Sequence, residues 1–113
     1  MKHLADTLLR HVYYSAIAVV SADREGAMLG VTLLDAEFGT EDPVIFPGAR
    51  CVHLICNHYE GRMTLTREES ENCRRIAAQA GAAAVHIYIY GEDIGFFEVD
   101  SKTVLGYNEE NAV

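Results

Sequence analysis

Two histidines stand in runs that alternate apolar and polar residues: His53 in Cys51-Val52-His53-Leu54-Ile55-Cys56-Asn57, and His86 in Val85-His86-Ile87-Tyr88-Ile89-Tyr90. Alternation is the period of a β-strand, so His86, Tyr88 and Tyr90 share one face while Val85, Ile87 and Ile89 share the other. After Gly91-Glu92-Asp93 the run Ile94-Gly95-Phe96-Phe97-Glu98-Val99 returns as the second arm of a hairpin. A three-residue loop sets Tyr90 against Ile94, Tyr88 against Phe96 and His86 against Glu98. A carboxylate beside an imidazole fixes its tautomer and raises its basicity, which is the support a general base needs. His86, Glu98 and His53 are therefore the candidate catalytic residues, with Cys51 a conceivable nucleophile on an adjacent strand. The plain alternative is a cross-strand polar pair contributing about 0.5 kcal/mol. Tyr88, Tyr90 and Phe96 with His86 and His53 make this face too aromatic for ordinary surface, so they are the candidate partner- or ligand-binding residues, together with Arg62 on the turn His58-Tyr59-Glu60-Gly61-Arg62.

Metal chemistry is not expected. Cys51 and His53 point one way from their strand and Cys56 and His58 the other, so the four ligands do not converge. Cys56 falls on a core face and Cys73 on a helix stripe, where a free cysteine is a small hydrophobe. The chain contains no GxGxxG, Walker-type loop, G-x-S-x-G or HExxH. No cofactor is expected, and catalysis is the less favoured reading.

The elements that must position these residues follow from periodicity. Leu4, Ala5, Leu8, Leu9 and Val12 recur at helical spacing, predicting an amphipathic helix over residues 3–13. Strands are predicted over 15–22 and 28–34, then over 51–57 with a return through 62–65 that pairs Cys56 with Met63 and Leu54 with Leu65. Between them Pro43 and Pro47 bracket Val44-Ile45-Phe46, an edge strand or a docked loop in an acidic stretch that holds Asp35, Glu37, Glu41 and Asp42. Thr66 with Glu69 three residues on is a capping box that opens a second helix. Its stripe is Cys73, Ile76, Ala77 and Ala80, and Gly81 stops it. The expected fold is a single α+β domain over 1–106, in the order α-β-β-β-β-α-β-β-β. It consists of an antiparallel sheet of six to seven strands with two helices on one face. An acidic tail occupies 107–113. Two helices on one face leave the other bare, so self-association, first as a dimer, is expected to cover it.

Composition narrows the function. Half of the 113 residues are hydrophobic and 23% charged, as in a globular domain. Seventeen acidic against nine basic residues give a net charge of −8, which repels a phosphate backbone and argues against direct nucleic-acid binding. The same charge suits a protein partner with a basic surface. No apolar run approaches the length of a membrane span. Three cysteines, an odd number, and no secretory leader point to a reducing cytoplasmic setting. Three function classes stay open. The first is a small acidic binding or regulatory protein, like an inhibitor or adaptor, using the aromatic face or the acidic loop. The second binds a small nucleotide-like ligand at a subunit interface, where Arg50 or Arg62 would have to face the tyrosines. The third is a small enzyme built on His86 and Glu98.

Overall fold

The computed structural model describes residues 1–35 and 45–105, and shows an α+β fold with one five-stranded mixed sheet. The elements are α1 (Lys2–Leu9), β1 (Ala16–Ala22), β2 (Met28–Asp35), β3 (Cys51–Asn57), α2 (Arg67–Ala80), β4 (Ala84–Gly91), β5 (Gly95–Val99) and α3 (Ser101–Leu105). The strand order is β2-β1-β3-β4-β5. β1 pairs antiparallel with both β2 and β3, and β4 pairs antiparallel with β5. β3 and β4 are parallel, with α2 as the crossover between them.

That parallel pair overturns the all-antiparallel expectation, and with it the return strand over 62–65. The two edges of β3 are taken by β1 and β4, so no edge remains for Met63 and Leu65 to pair with. Residues 58–66 instead form the link into α2, with Gly61 at φ 81°. The first helix is shorter than its apolar periodicity suggests, ending at Leu9. The segment after β5 is the short helix α3, whose first turn is capped by Asp100: its carboxylate accepts from Lys102 N (3.0 Å) and Thr103 Oγ1 (2.9 Å). Ile45 and Phe46 form a docked loop rather than an edge strand. The Phe46 ring lies over Gly30, where a Cβ would come within 2.3 Å of it. Val44, the acidic residues Glu37, Glu41 and Asp42, Pro43, and the tail over 107–113 lie outside the described residues.

The helices lie on both faces, not one. Ile17, Val19, Val52, Leu54, Cys56 and Ile87 form a core with Cys73 and Ile76 of α2, against which Val104 and Leu105 of α3 also pack. On the opposite face Ala18, Val20, Ile55, Tyr88 and Tyr90 are closed over by Ala5 and Leu9 of α1. Fully burying a Leu side chain contributes roughly 2 kcal/mol, and Leu9 with Ala5 seats this eight-residue helix on the sheet. The face expected to be bare is therefore covered in part by α1, at Ala18, Val20, Ile55, Tyr88 and Tyr90, while Met28 and Leu33 on β2 stay exposed.

The β4–β5 register also differs from the expected one. Tyr90 faces Phe96, Tyr88 faces Glu98 and Ile87 faces Val99, a shift of two residues. Gly95 adopts φ 87°, a conformation costly for any residue with a Cβ, and Gly91 pairs with Gly95 to close the hairpin around Glu92-Asp93-Ile94. Because the shift is even, each side chain keeps its face.

The start of α2 is tied to the end of β3 by a buried ion pair. Thr66 Oγ1 accepts from Glu69 N (3.1 Å), and Glu69 Oε1 accepts in turn from Thr66 N (2.8 Å), completing the capping box. The second carboxylate oxygen of Glu69 lies 2.7 Å from His58 Nε2, and His58 Nδ1 donates to the carbonyl of Arg62. A carbonyl only accepts, so Nδ1 carries a hydrogen, and Nε2 is the ring nitrogen that faces the carboxylate. Burial works against the Glu69 carboxylate. The His58 and Thr66 hydrogen bonds and the His58 and Arg62 charges outweigh it and hold the pKa below the usual 4.5. A lowered folded-state pKa adds stability above the unfolded value, and that stability is lost as pH falls through the folded one. Thermal melts should therefore show stability dropping as pH is lowered below 4.5. In Glu69→Gln this acid limb flattens, and Glu69→Ala should cost about 3 kcal/mol at neutral pH.

Candidate functional site

Parallel pairing in register brings the two histidines side by side. His53 of β3 is the partner of His86 of β4, on the face that carries α1. α1 covers the far part of that face, at Ile55, Tyr88 and Tyr90, and leaves the near part, at Cys51, His53 and His86, half-open. The imidazoles stack with centroids 5.4 Å apart and planes at 21°. Each has its own partner. His86 Nδ1 donates to Glu98 Oε2 at 2.9 Å, a diagonal bond, since Tyr88 is the residue directly opposite Glu98. His53 Nδ1 lies 2.9 Å from the Tyr88 hydroxyl, and its Nε2 lies 3.4 Å from Cys51 Sγ. Tyr88 in turn stacks on Phe96, with centroids 5.0 Å apart.

Charge is unevenly placed in this cluster. Burial lowers the pKa of His53 below 6.5, and His86 and the terminal amino group lower it further against a weaker opposing pull from Glu98. His53 is thus held neutral, with one hydrogen to place between thiol and phenol. Either Tyr88 donates to Nδ1 and Nε2–H points at the sulfur, or the thiol donates to Nε2 and Nδ1–H points at Tyr88. Burial, and then Glu98, push the Cys51 thiol upward from its usual 9.0. A nucleophilic cysteine needs the opposite shift, toward the thiolate. His86 and Glu98 are half in solvent, with side chains 42% and 52% exposed, so their ion pair is a surface contact of modest value. Among the described residues, no group of three or more His, Cys, Asp or Glu side chains is placed to hold a metal ion. Cys56 faces the α2 core and His58 turns to Glu69, well away from Cys51 and His53.

The structure brings together His53, His86, Tyr88, Phe96 and Glu98, keeps Tyr90 beside Phe96 but buried, and separates Arg62 from them. Tyr90 is 4% exposed beneath α1 and donates to Asp6 Oδ1 at 2.8 Å. Burial and that carboxylate push its phenol up to about 12. Arg62 lies by α2, 3.7 Å from Glu69 Oε1. Tyr88, at 9% exposed, belongs to the core under α1. The tyrosines of this sheet face are therefore interior packing, and its imidazole–carboxylate end meets solvent.

Among the described residues, the exposed aromatics are at the other end of the sheet, where β3 and β4 finish. Tyr13 is 66% exposed, Tyr14 45% and Tyr59 43%. The segment that bears the first two is pinned from below. Buried Asn57 donates both amide hydrogens of its side chain, to Val12 O (3.0 Å) and Tyr14 O (2.9 Å). Tyr13 and Tyr59 border a small cleft with Arg10, Asn57, Glu92 and Asp93. Tyr13 is hidden in the sequence because it continues the apolar periodicity of α1. The available signal is Asn57, a polar residue at the end of an otherwise core-forming strand.

Comparison with protein-family models finds none that matches this chain, and comparison with curated proteins finds no match. Among the described residues, no helix is long and apolar enough to cross a membrane.

The geometry of the histidine pair can be checked directly. Replacing His86 by Gln removes a positive neighbour, so the His53 pKa measured by NMR titration should rise toward 6.5. Tyr88→Ala should cost about 3 kcal/mol of folding stability, because it opens a cavity beneath α1. A Tyr88→Ala protein as stable as the parent would show that α1 does not seal this face.

Proposed function

We propose that this chain is a protein-binding module that engages a basic surface on its partner through Tyr13, Tyr14 and Tyr59. The observation that carries the reading is the use of Asn57. A buried side chain gives both of its amide hydrogens to holding Val12 and Tyr14 in place, while Tyr13 and Tyr14 stay in solvent. Fixing the backbone that bears Tyr13 and Tyr14 before any partner arrives removes part of the ordering cost from the binding step. Tyrosines ringed by polar groups are the composition of interface anchors. Glu92 and Asp93 at the rim, together with the net charge of −8, favour a basic partner and a fast, salt-sensitive approach.

The other two readings draw less support. A ligand binder of the expected kind needs Arg62 turned toward the tyrosines, but Arg62 is beside Glu69. An enzyme built on His86 and Glu98 needs them in a cleft, and both are half in solvent.

The test is a comparison of captured proteins. The parent chain and the Tyr13→Ala, Tyr59→Ala double variant are used as baits in extracts of the source cell, with matched circular dichroism melts. A partner retained by the parent should be lost by the variant, since one anchor is worth on the order of 2 kcal/mol, and should elute as salt is raised. Equal retention by the two baits would refute the assignment.

A further inference from the structure

Of the three cysteines, two meet in the core that joins the sheet to α2. Cys56 on β3 and Cys73 on α2 are both fully buried, and their sulfurs are 3.9 Å apart. Cys51 is on the other face of the sheet, bonded to His53. The 3.9 Å contact is a thiol–thiol contact, and each sulfur needs to move by only about 1 Å to reach the bond length of a disulfide. Two cysteines can fill this space as small hydrophobes, yet nothing in the packing requires that both be placed here, sulfur against sulfur. The pair joins the crossover helix to the strand from which it departs, 17 residues earlier in the chain.

We propose that Cys56 and Cys73 are a latent disulfide, closed when α2 docks in the presence of a low-molecular-weight disulfide such as oxidised glutathione. The thiolate of one cysteine attacks the oxidant, forming a mixed disulfide and releasing one small thiol. The second cysteine then displaces the other small thiol and closes the Cys56–Cys73 bond. Two S–H bonds are lost and one S–S bond is gained; the electron pair goes to the oxidant's disulfide, which leaves as two thiols. Both sulfurs are out of solvent in the folded protein, and contact with Cys73, together with burial, raises the Cys56 thiol well above its usual 9.0. The docked pair is therefore inert: the mixed disulfide forms while α2 is undocked, and the second thiol displaces the small thiol as α2 docks. Once closed, the cross-link shortens the free loop of the unfolded chain and holds the crossover in place. This inference is independent of the tyrosine surface: Cys56 faces the α2 core, whereas Asn57 holds the segment after α1.

The test refolds the full chain from guanidinium chloride in glutathione buffer, either fully reduced or mixed with the oxidised form, and then removes the small thiols. The reduced sample should present three titratable thiols on unfolding and the oxidised sample one, with an intact mass two hydrogens lower. Peptide mapping should join Cys56 to Cys73, and the oxidised protein should melt at a higher temperature. Cys51→Ala should form the same bond, whereas Cys56→Ala and Cys73→Ala should not. Three free thiols after oxidative refolding, a bond through Cys51, or a cross-linked protein that melts lower would each overturn the proposal.

Discussion

β3 and β4 run parallel, with Cys51 beside Ala84 and Asn57 beside Tyr90, and parallel strands adjacent in sequence need a connection that returns along the sheet. α2 is that connection, and its stripe of Cys73 and Ile76 takes one face of the sheet. A central parallel pair flanked by β1 and β5 has little use for a wet second face, and α1 supplies the cover there with Ala5 and Leu9. The turn from β3 into α2 is the point of greatest constraint. His58 N donates to Tyr90 O at 2.7 Å, extending the β3–β4 ladder by one rung, while its side chain engages Glu69 in the first turn of the helix. One residue thus ends a strand, touches its parallel neighbour and anchors the crossover.

The same pairing decides what reaches solvent. Parallel strands in register place His53 against His86, so two imidazoles share a small space with a single carboxylate, Glu98. The result is a neutral His53 between a phenol and a thiol, and an outer His86 paired in solvent. At the far end of the strands Asn57 emerges under the segment that leaves α1, and the tyrosines of that segment are held outward. The two ends of one strand therefore have different characters: polar and half-buried at Cys51 and His53, aromatic and exposed beyond Asn57.

Much of this arrangement could be read from residue order. The alternation in Val85–Tyr90 and in Phe96–Val99 assigned each side chain to its face, and a register shift of two left those faces intact. The capping box at Thr66 and Glu69 was equally legible, because its signature is local. What was not legible is long-range. Parallel and antiparallel strands have the same alternation, so nothing in Cys51–Asn57 says that its neighbour is β4 rather than residues 62–65. That single choice also fixed the side on which α1 packs, and so turned Tyr88 and Tyr90 from surface into core. The partner of Glu69 was hidden for the same reason: His58 reads as part of an exposed turn until the helix that buries it is in place.

The central claim is that α1 closes the sheet face over Tyr88 and Tyr90 and leaves Tyr13, Tyr14 and Tyr59 as the accessible tyrosines among the described residues. Flavin-sensitised photochemically induced nuclear polarisation, which reports tyrosines that a dye can touch, measures this in the intact protein without substitution. The account predicts polarised ring signals from Tyr13, Tyr14 and Tyr59, and none from Tyr88 or Tyr90. Strong polarisation of Tyr88 and Tyr90, with Tyr13 and Tyr59 silent, would contradict it.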